Sequence, residues 1–294
     1  MRIPSNKISD VTRFFHSELG SIYPKSEIDV FVAISFGEIL GISKAGLLLK
    51  NEETMSESEM LKFTGVIRQL KDQRPIQYIF GKADFCGMKF EVNEHVLIPR
   101  PETEELVEWI KQDAQAPTTG NQRPTTILDI GTGSGCIAIA LKKHFMDADV
   151  SALDVSEKAL EVAKRNAGRN SVRVNFIHSD ILSGSSHVSP GKFDIVVSNP
   201  PYVRESEKEN MQQNVLGHEP HLALFVKDDD ALFFYKAIVS FAKEQLNKMG
   251  KLYFEINETS GNEVKMLMER SGFVEVEVKK DLSGKERMVR GVLV

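Results

Sequence analysis

The run Ser198-Asn199-Pro200-Pro201-Tyr202-Val203 sets a side-chain carbonyl, two stiff rings and an aromatic directly after the apolar stretch Phe193-Asp194-Ile195-Val196-Val197. The Asn199 side-chain carbonyl and the Pro200 backbone carbonyl could each accept one hydrogen of a planar amino or amide group. That would aim the nitrogen lone pair at an electrophile held beside it. The prolines supply a rigid wall for a small planar group, and Tyr202 could stack over it. Rigidity alone accounts for the prolines but not for Asn199. Asn199, Pro200 and Tyr202 are therefore the candidate catalytic residues, and Asn199, Pro200, Pro201 and Tyr202 the candidate substrate contacts.

A second constellation is Leu128-Asp129-Ile130-Gly131-Thr132-Gly133-Ser134-Gly135-Cys136-Ile137, which leads into the apolar Ala138-Ile139-Ala140-Leu141. Gly131 and Gly133 permit a tight turn close to a ligand, and Gly135 permits close approach of the helix that begins there. The third glycine arrives one residue too early for the dinucleotide fingerprint. No Gly-Lys-Ser/Thr follows, which argues against a nucleotide-triphosphate loop. Asp154 ends a second strand, Asp149-Val150-Ser151-Ala152-Leu153, where a carboxylate can accept both ribose hydroxyl hydrogens of an adenosine-containing cofactor. A third strand at 172–176 leads to His178-Ser179-Asp180, and Asp180 is the candidate acceptor for the adenine amino group.

These loops need a frame, and the sequence after residue 126 supplies one by alternating short apolar strands with amphipathic helices. Before it, the chain to about Leu70 reads as helical. Ile28, Phe31, Val32, Phe36 and Ile39 line one face of a helix starting near Ser26. Ser56 and Glu59 fit a capping box ahead of Met60, Phe63, Ile67 and Leu70. Such narrow faces suit a small bundle that leans on a larger domain or grips a partner. Between them, 88–98 alternates Phe90, Val92, Val96 and Ile98 around Asn93-Glu94-His95, which predicts a β-hairpin. Pro101 and Glu102 suit the first turn of a helix carrying Leu106, Val107 and Ile110, and the polar 115–124 reads as a loop. The expected organisation is an N-terminal helical substrate-recognition domain at 1–75, a linker with the hairpin at 76–100, and a catalytic domain at 101–294.

Composition narrows the class. The chain of 294 residues carries 37 Lys and Arg against 42 Asp and Glu, a formal charge of −5. Up to Pro75 the balance is ten against ten, so neither part is a basic clamp for duplex DNA. Two cysteines, Cys86 and Cys136, exclude a disulfide-dense scaffold or a Cys-rich zinc site. No apolar stretch approaches a membrane span, and the charged N-terminal segment lacks the core of a secretory signal. A cytoplasmic protein is expected.

Asn199-Pro200-Pro201-Tyr202 is the motif of amino-group methyltransferases acting on glutamine amides or nucleic-acid bases, and the whole chain resembles the bacterial release factor glutamine methyltransferase family. The resemblance extends over Arg74-Pro75-Ile76-Gln77-Tyr78-Ile79-Phe80-Gly81, Phe85, Leu97-Ile98-Pro99-Arg100-Pro101-Glu102-Thr103-Glu104 and the glycine loop. It continues through Glu219-Pro220, Glu255 and Asp281-Leu282-Ser283-Gly284-Lys285-Glu286-Arg287. It implies an α/β fold, a seven-stranded Rossmann-like S-adenosylmethionine methyltransferase domain preceded by a small helical domain and a β-hairpin. By resemblance, the cofactor S-adenosyl-L-methionine meets Pro101, Glu102, Thr103, Asp129, Gly131, Thr132, Gly133, Gly135, Asp154, Asp180 and Asn199, while Arg100 is left to structure. The implied acceptor is the glutamine of the Gly-Gly-Gln motif in class 1 peptide-chain release factors, methylated on its side-chain nitrogen by a monomer that needs no DNA and no membrane.

No metal is expected: His218, Glu219 and His221 match no metal-ligand spacing. Ser134 and Cys136 have no local histidine-acid pair that would make either a nucleophile. The chemistry expected is direct displacement, with the extra amide proton passing afterwards to Glu102 or to solvent. A DNA or RNA amino-methyltransferase, a ribosomal-protein glutamine methyltransferase and a non-catalytic binding module stay open at this point.

Overall fold

The computed structural model describes residues 5–114, 125–183 and 192–294; the loop expected at 115–124 lies outside them. The chain opens with five helices, α1 (Ile8–Leu19), α2 (Lys25–Leu40), α3 (Lys44–Leu49), α4 (Glu57–Lys71) and α5 (Ile76–Phe80). Then come β1 (Lys82–Phe85), β2 (Met88–Glu91), α6 (Pro101–Ala114), β3 (Thr126–Ile130), α7 (Cys136–His144), β4 (Asp149–Asp154), α8 (Glu157–Arg169) and β5 (Asn175–His178). The remainder is β6 (Phe193–Ser198), β7 (Val203–Arg204), α9 (Gln213–His218), β8 (Phe225–Val226), α10 (Phe233–Gln245), β9 (Leu246–Glu255), α11 (Gly261–Arg270), β10 (Phe273–Lys280) and β11 (Glu286–Leu293). Two compact units result, one from Met1–Gly81 with Gln212–His218, the other from Lys82–Met211 with Glu219–Val294.

In the helical unit the apolar faces of α1, α2 and α4 close around Phe15, Ile28, Phe36, Phe63, Ile67 and Leu70, all buried. Phe63 anchors this core, with the Phe36 ring 4.5 Å away and the Phe15 ring edge-on at 6.2 Å. The capping box at the start of α4 forms as expected: Ser56 Oγ accepts from the Glu59 backbone N–H, and the Glu59 carboxylate accepts from the Ser56 N–H at 2.7 Å. Leu48 and Leu49 on α3 stay exposed, at 80% and 86%.

The second unit is built on a seven-stranded sheet in the order β10-β11-β9-β6-β3-β4-β5. The five strands from β5 to β9 run parallel, while β11 is antiparallel to both β9 and β10. Parallel strands covered on both faces must be apolar throughout. Accordingly Ile127, Leu128, Ile130, Val196, Val197 and Leu252 are all buried. The order reverses between β3 and β6: β4 and β5 extend to one side, β9 to the other. Such a reversal opens a crevice beyond the carboxyl ends of the strands.

The hairpin lies earlier than the alternation at 88–98 suggests. β1 pairs with β2 in the register Phe85↔Met88 through the two-residue turn Cys86-Gly87, at φ +48° and +72°. Both positive φ values match the twist that a tight hairpin needs. Ala83, Phe85 and Phe90 point to the core from the paired strands, whereas Val92, Val96 and Ile98 are buried from a segment that turns at 94–96 and forms no strand. Alternation reports one buried face, not a partner strand. The third parallel strand likewise starts at Asn175 rather than at 172, because pairing with β4 begins at Ser151↔Asn175.

Candidate functional site

A cavity opens at the carboxyl ends of β3, β4 and β6, and among the residues lining it are Thr103, Gly131, Thr132, Gly133, Asp154, Asp180, Asn199, Pro200 and Pro201. One wall is the glycine loop. The Gly131 and Thr132 N–H groups both donate to the Leu153 carbonyl, at 2.8 and 3.0 Å, which folds the loop back across the end of β4. Gly135 is not at the cavity. A Cβ there would come within 3.1 Å of Ala163 on α8 and 3.0 Å of Ile139, so this glycine lets α7 and α8 close together.

Beneath the loop lies Asp129, fully buried on β3. Its Oδ2 accepts from the Thr132 hydroxyl at 2.6 Å and the Ala138 N–H at 3.2 Å, while Oδ1 has no partner. Burial pushes the Asp129 carboxyl up to about 7, against the pull of those two hydrogen bonds. Asp154 closes β4 with both oxygens engaged: Gly133 N–H donates to Oδ2 at 2.8 Å and Ser156 N–H to Oδ1 at 2.9 Å. Those bonds fix the carboxylate plane and leave lone pairs for further donors. Burial also raises the Asp154 carboxyl. Asp180 is half-buried, and its Oδ1 accepts from the Leu182 N–H.

The opposite side of the crevice is the end of β6. Ser198 Oγ donates to the Ile130 carbonyl at 2.7 Å, tying the ends of β6 and β3 together just before Asn199. The Asn199 Nδ2 donates to Thr103 Oγ1 at 3.3 Å, and Thr103 Oγ1 donates to Glu255 Oε2 at 2.6 Å. Tyr202 donates to the other Glu255 oxygen at 3.3 Å. Glu255, at the end of β9, is 1% exposed, and burial pushes its carboxyl up to about 7. Burial and the nearby Glu255 charge raise the Tyr202 phenol, which stays protonated at neutral pH.

The remaining expected residues sit apart from the cavity wall. Pro101 is exposed, Glu102 half-buried in the first turn of α6, and the Tyr202 ring half-buried with its hydroxyl turned to Glu255. Arg100 pairs with Glu219 at 2.6 Å, and Glu219 also accepts from the Ile98 N–H at 3.4 Å. That buried carboxylate anchors the segment whose Pro220, Leu222 and Ala223 line the cavity. Among the described residues no group of three or more His, Cys, Asp or Glu side chains could hold a metal ion, and no helix is long and apolar enough to cross a membrane.

Thr103 as a bridge, and Glu255 and Glu219 as anchors, are contributions that residue types and spacing left unassigned. A signal for Glu255 was present. Leu252-Tyr253-Phe254 is an apolar strand run ending in a carboxylate, the pattern that singled out Asp154. The two cysteines carry no such role: Cys136 is buried at the first turn of α7, Cys86 half-buried in the hairpin turn. Burial pushes the Cys86 thiol up to about 11 and the Cys136 thiol further in the same direction.

Residues 112–222 match the family described as Methyltransferase small domain, and residues 16–81 that described as PrmC N-terminal domain. The chain is 46% identical over 277 residues to a release factor glutamine methyltransferase of Flavobacterium psychrophilum, covering 94% of this chain and 95% of that one. It is 40% identical over 279 residues to another of that description from Bacteroides thetaiotaomicron, covering 95% and 98%. Among solved structures, a methyltransferase from Pyrococcus furiosus is similar in fold, with a TM-score of 0.50 at 19% identity, over 81% of this chain and 98% of that one.

Proposed function

Since the chain belongs to the release factor glutamine methyltransferase family, we propose that it transfers a methyl group from S-adenosylmethionine to the side-chain amide nitrogen of the glutamine in the Gly-Gly-Gln motif of class 1 release factors. The observation that carries this reading is the state of Asn199. Its amide nitrogen is committed to Thr103, so its carbonyl oxygen is left for a donor in the cavity.

The residues present fit the cofactor. Asp154 is held in one orientation with lone pairs to spare for two ribose hydroxyls, and Asp180 offers a carboxylate to the adenine amino group. The fully buried Asp129 keeps one oxygen without a protein partner, a favourable neighbour for a ligand that carries positive charge. When bound, S-adenosylmethionine supplies an electrophilic methyl on sulfur. Gly131, Thr132 and Gly133 bound the methionine end in this reading.

The chain's own residues act by position. An amide nitrogen is a weak nucleophile because its lone pair is delocalised. Asn199 Oδ1 and the Pro200 carbonyl take its two hydrogens, which turns the lone pair toward the methyl and retains electron density on nitrogen. Alignment of this kind is worth up to roughly 7–11 kcal/mol of a barrier in ideal cases. Pro200 and Pro201 keep the acceptor backbone rigid, and Tyr202, outside the cavity wall, acts through its hydrogen bond to Glu255. The extra proton leaves after transfer, when the nitrogen is cationic and acidic, to Glu102 or to solvent. We assign recognition of the intact release factor to the helical N-terminal part, 1–75, joined through 76–100 to the methyltransferase part, 101–294. The same reading has the chain acting in the cytoplasm as a monomer, without DNA and without a metal ion.

The test supplies purified protein and radiolabelled S-adenosylmethionine with a matched release factor, its Gln→Ala variant, duplex DNA and single-stranded DNA in separate reactions. Label confined to the intact Gly-Gly-Gln loop, located on the amide nitrogen by mass spectrometry, is expected. Faster labelling of either DNA than of the folded release factor overturns the reading in favour of a base methyltransferase. DNA starts at a disadvantage: a duplex base must be unstacked at a cost of a few kcal/mol, and the net charge of −5 offers no general attraction to phosphate.

A further inference from the structure

We infer that Glu255 is a positioning residue whose negative charge sets the direction of the hydrogen-bond chain through Thr103 to Asn199, and so decides which end of the Asn199 amide meets the substrate. This deepens the functional reading above and rests on it.

The Thr103 hydroxyl has one hydrogen to give. An ionised Glu255 can only accept, so the hydrogen goes to Oε2 at 2.6 Å. The Thr103 oxygen is then free to accept, and it takes a hydrogen from Asn199 Nδ2 at 3.3 Å. That leaves Oδ1 as the group the amide can present to the cavity, an acceptor for a substrate amide that brings two donors. A protonated Glu255 carries a donor as well as an acceptor, and with that donor turned to Thr103 the chain reverses. The Thr103 hydrogen turns to Asn199, and the amide is best matched by rotating half a turn. An NH₂ group would then confront the NH₂ group of the substrate. One proton, about two side chains away, thus separates a receptive site from a repelling one.

The groups around Glu255 are few and come from each neighbouring element. Thr103 and Glu102 face it from α6, Tyr202 from the segment after β6, and Arg287 from β11. Tyr235 of α10 donates to its backbone carbonyl at 3.1 Å. Burial, seconded by the Glu102 charge, pushes the carboxyl up to about 7, while Thr103, Arg287 and Tyr202 oppose the rise. An acid raised in this way is charged above that pH and neutral below it. Turnover therefore rises with pH across neutrality and falls on the acid side.

The test measures kcat for the matched release factor at saturating S-adenosylmethionine across the neutral range. In the unsubstituted chain kcat drops about tenfold per pH unit below the transition. Glu255→Gln carries one acceptor and one donor at every pH, as the protonated acid does, so its kcat sits near the acid-side value of the unsubstituted chain and loses the dependence on pH. Glu255→Leu removes the acceptor and costs on the order of tenfold or more in kcat, with the S-adenosylmethionine dissociation constant within about twofold. Thr103→Ser recovers most of what Thr103→Val loses. An independent arm uses NMR of protein labelled at glutamate carboxyl carbons and asparagine side-chain nitrogens. One glutamate carboxyl titrates near neutrality and vanishes in Glu255→Gln, and the Asn199 NH₂ signals follow it with the same midpoint unless Thr103 is Val. An acid limb retained by Glu255→Gln, or Asn199 signals indifferent to that titration, overturns the inference. Failure of the unsubstituted chain to methylate a release factor would strike the functional reading alone, because the NMR arm judges the relay without turnover.

Discussion

The helical unit and the sheet unit bury the same kinds of apolar side chain but differ in what else they bury. Among the described residues twelve polar or charged side chains are buried, and Ser35 alone belongs to the helical unit. The sheet unit holds the other eleven, including Asp129, Asp154, Glu219, Glu255 and Asp281. A buried carboxylate costs several kcal/mol of solvation unless hydrogen bonds or charges offset it. Four of the five are met by hydrogen-bond donors on both sides of the carboxylate or at turns: Asp154 by backbone N–H groups, Glu219 by Arg100 and the Ile98 N–H, Glu255 by Thr103 and Tyr202, and Asp281 by the turn at Ser283 and Lys285. Asp129 is met on one oxygen only. A unit whose interior is nearly all apolar is specified by packing. One that maintains so many costly groups at one edge of a sheet is specified by a task.

The largest expected effect sharpens the packing half of this contrast. Phe36→Ala removes a ring that lies 4.5 Å from Phe63 in a fully buried core, and should cost about 3–5 kcal/mol of stability. Thermal unfolding measures the loss. Titration with S-adenosylmethionine well below the melting temperature should give the unsubstituted affinity, and a large loss of affinity there would break the division between a packed unit and a working one. Next comes the chemical edge. Asn199→Ala should lower kcat on the order of 10²–10³-fold, as loss of an oriented partner of the reacting group does, and should spare cofactor affinity. Asp154→Ala should do the reverse, weakening S-adenosylmethionine binding by roughly 1–3 kcal/mol. Calorimetry on both folded variants decides; impaired cofactor binding confined to the Asn199 variant would invert the assignments. The smallest effect concerns the exposed Leu48 and Leu49. Aspartates at both positions should raise KM for the intact release factor by about 1 kcal/mol or less in free-energy terms, with KM for the cofactor unchanged. An unaltered release-factor KM would remove α3 from the recognition surface.

Why some of this was readable in the sequence and some not follows from distance along the chain. The glycine loop, Asp154 at the end of β4 and Asn199 at the end of β6 are local signals, each a strand pattern that stops at a residue with chemistry to offer. The capping box at Ser56 and Glu59 was local too. The hairpin was read one strand late because burial on one face of 92–98 imitates the alternation of a paired strand. The ties that give Asn199 its orientation are of another kind. Thr103 and Asn199 are 96 residues apart, Thr103 and Glu255 152, Arg100 and Glu219 119. The parallel pairing that lays β9 beside β6, with the start of α6 reaching the ends of both, makes neighbours of Thr103, Asn199 and Glu255. No local pattern encodes such a meeting, so the role of Thr103 became visible only once the fold was in hand.

The burial of the two thiols has a practical side. Alkylating reagents attack thiolates, and a thiol whose ionisation is pushed far up offers almost none at neutral pH. Cys136 begins the helix that follows the glycine loop and is 8% exposed. It also lines the cavity, so its labelling rate becomes a clock for access to that wall. Cys86, half-buried in the hairpin turn, is the internal standard. A ligand that clasps the loop should stop the first clock and leave the second running.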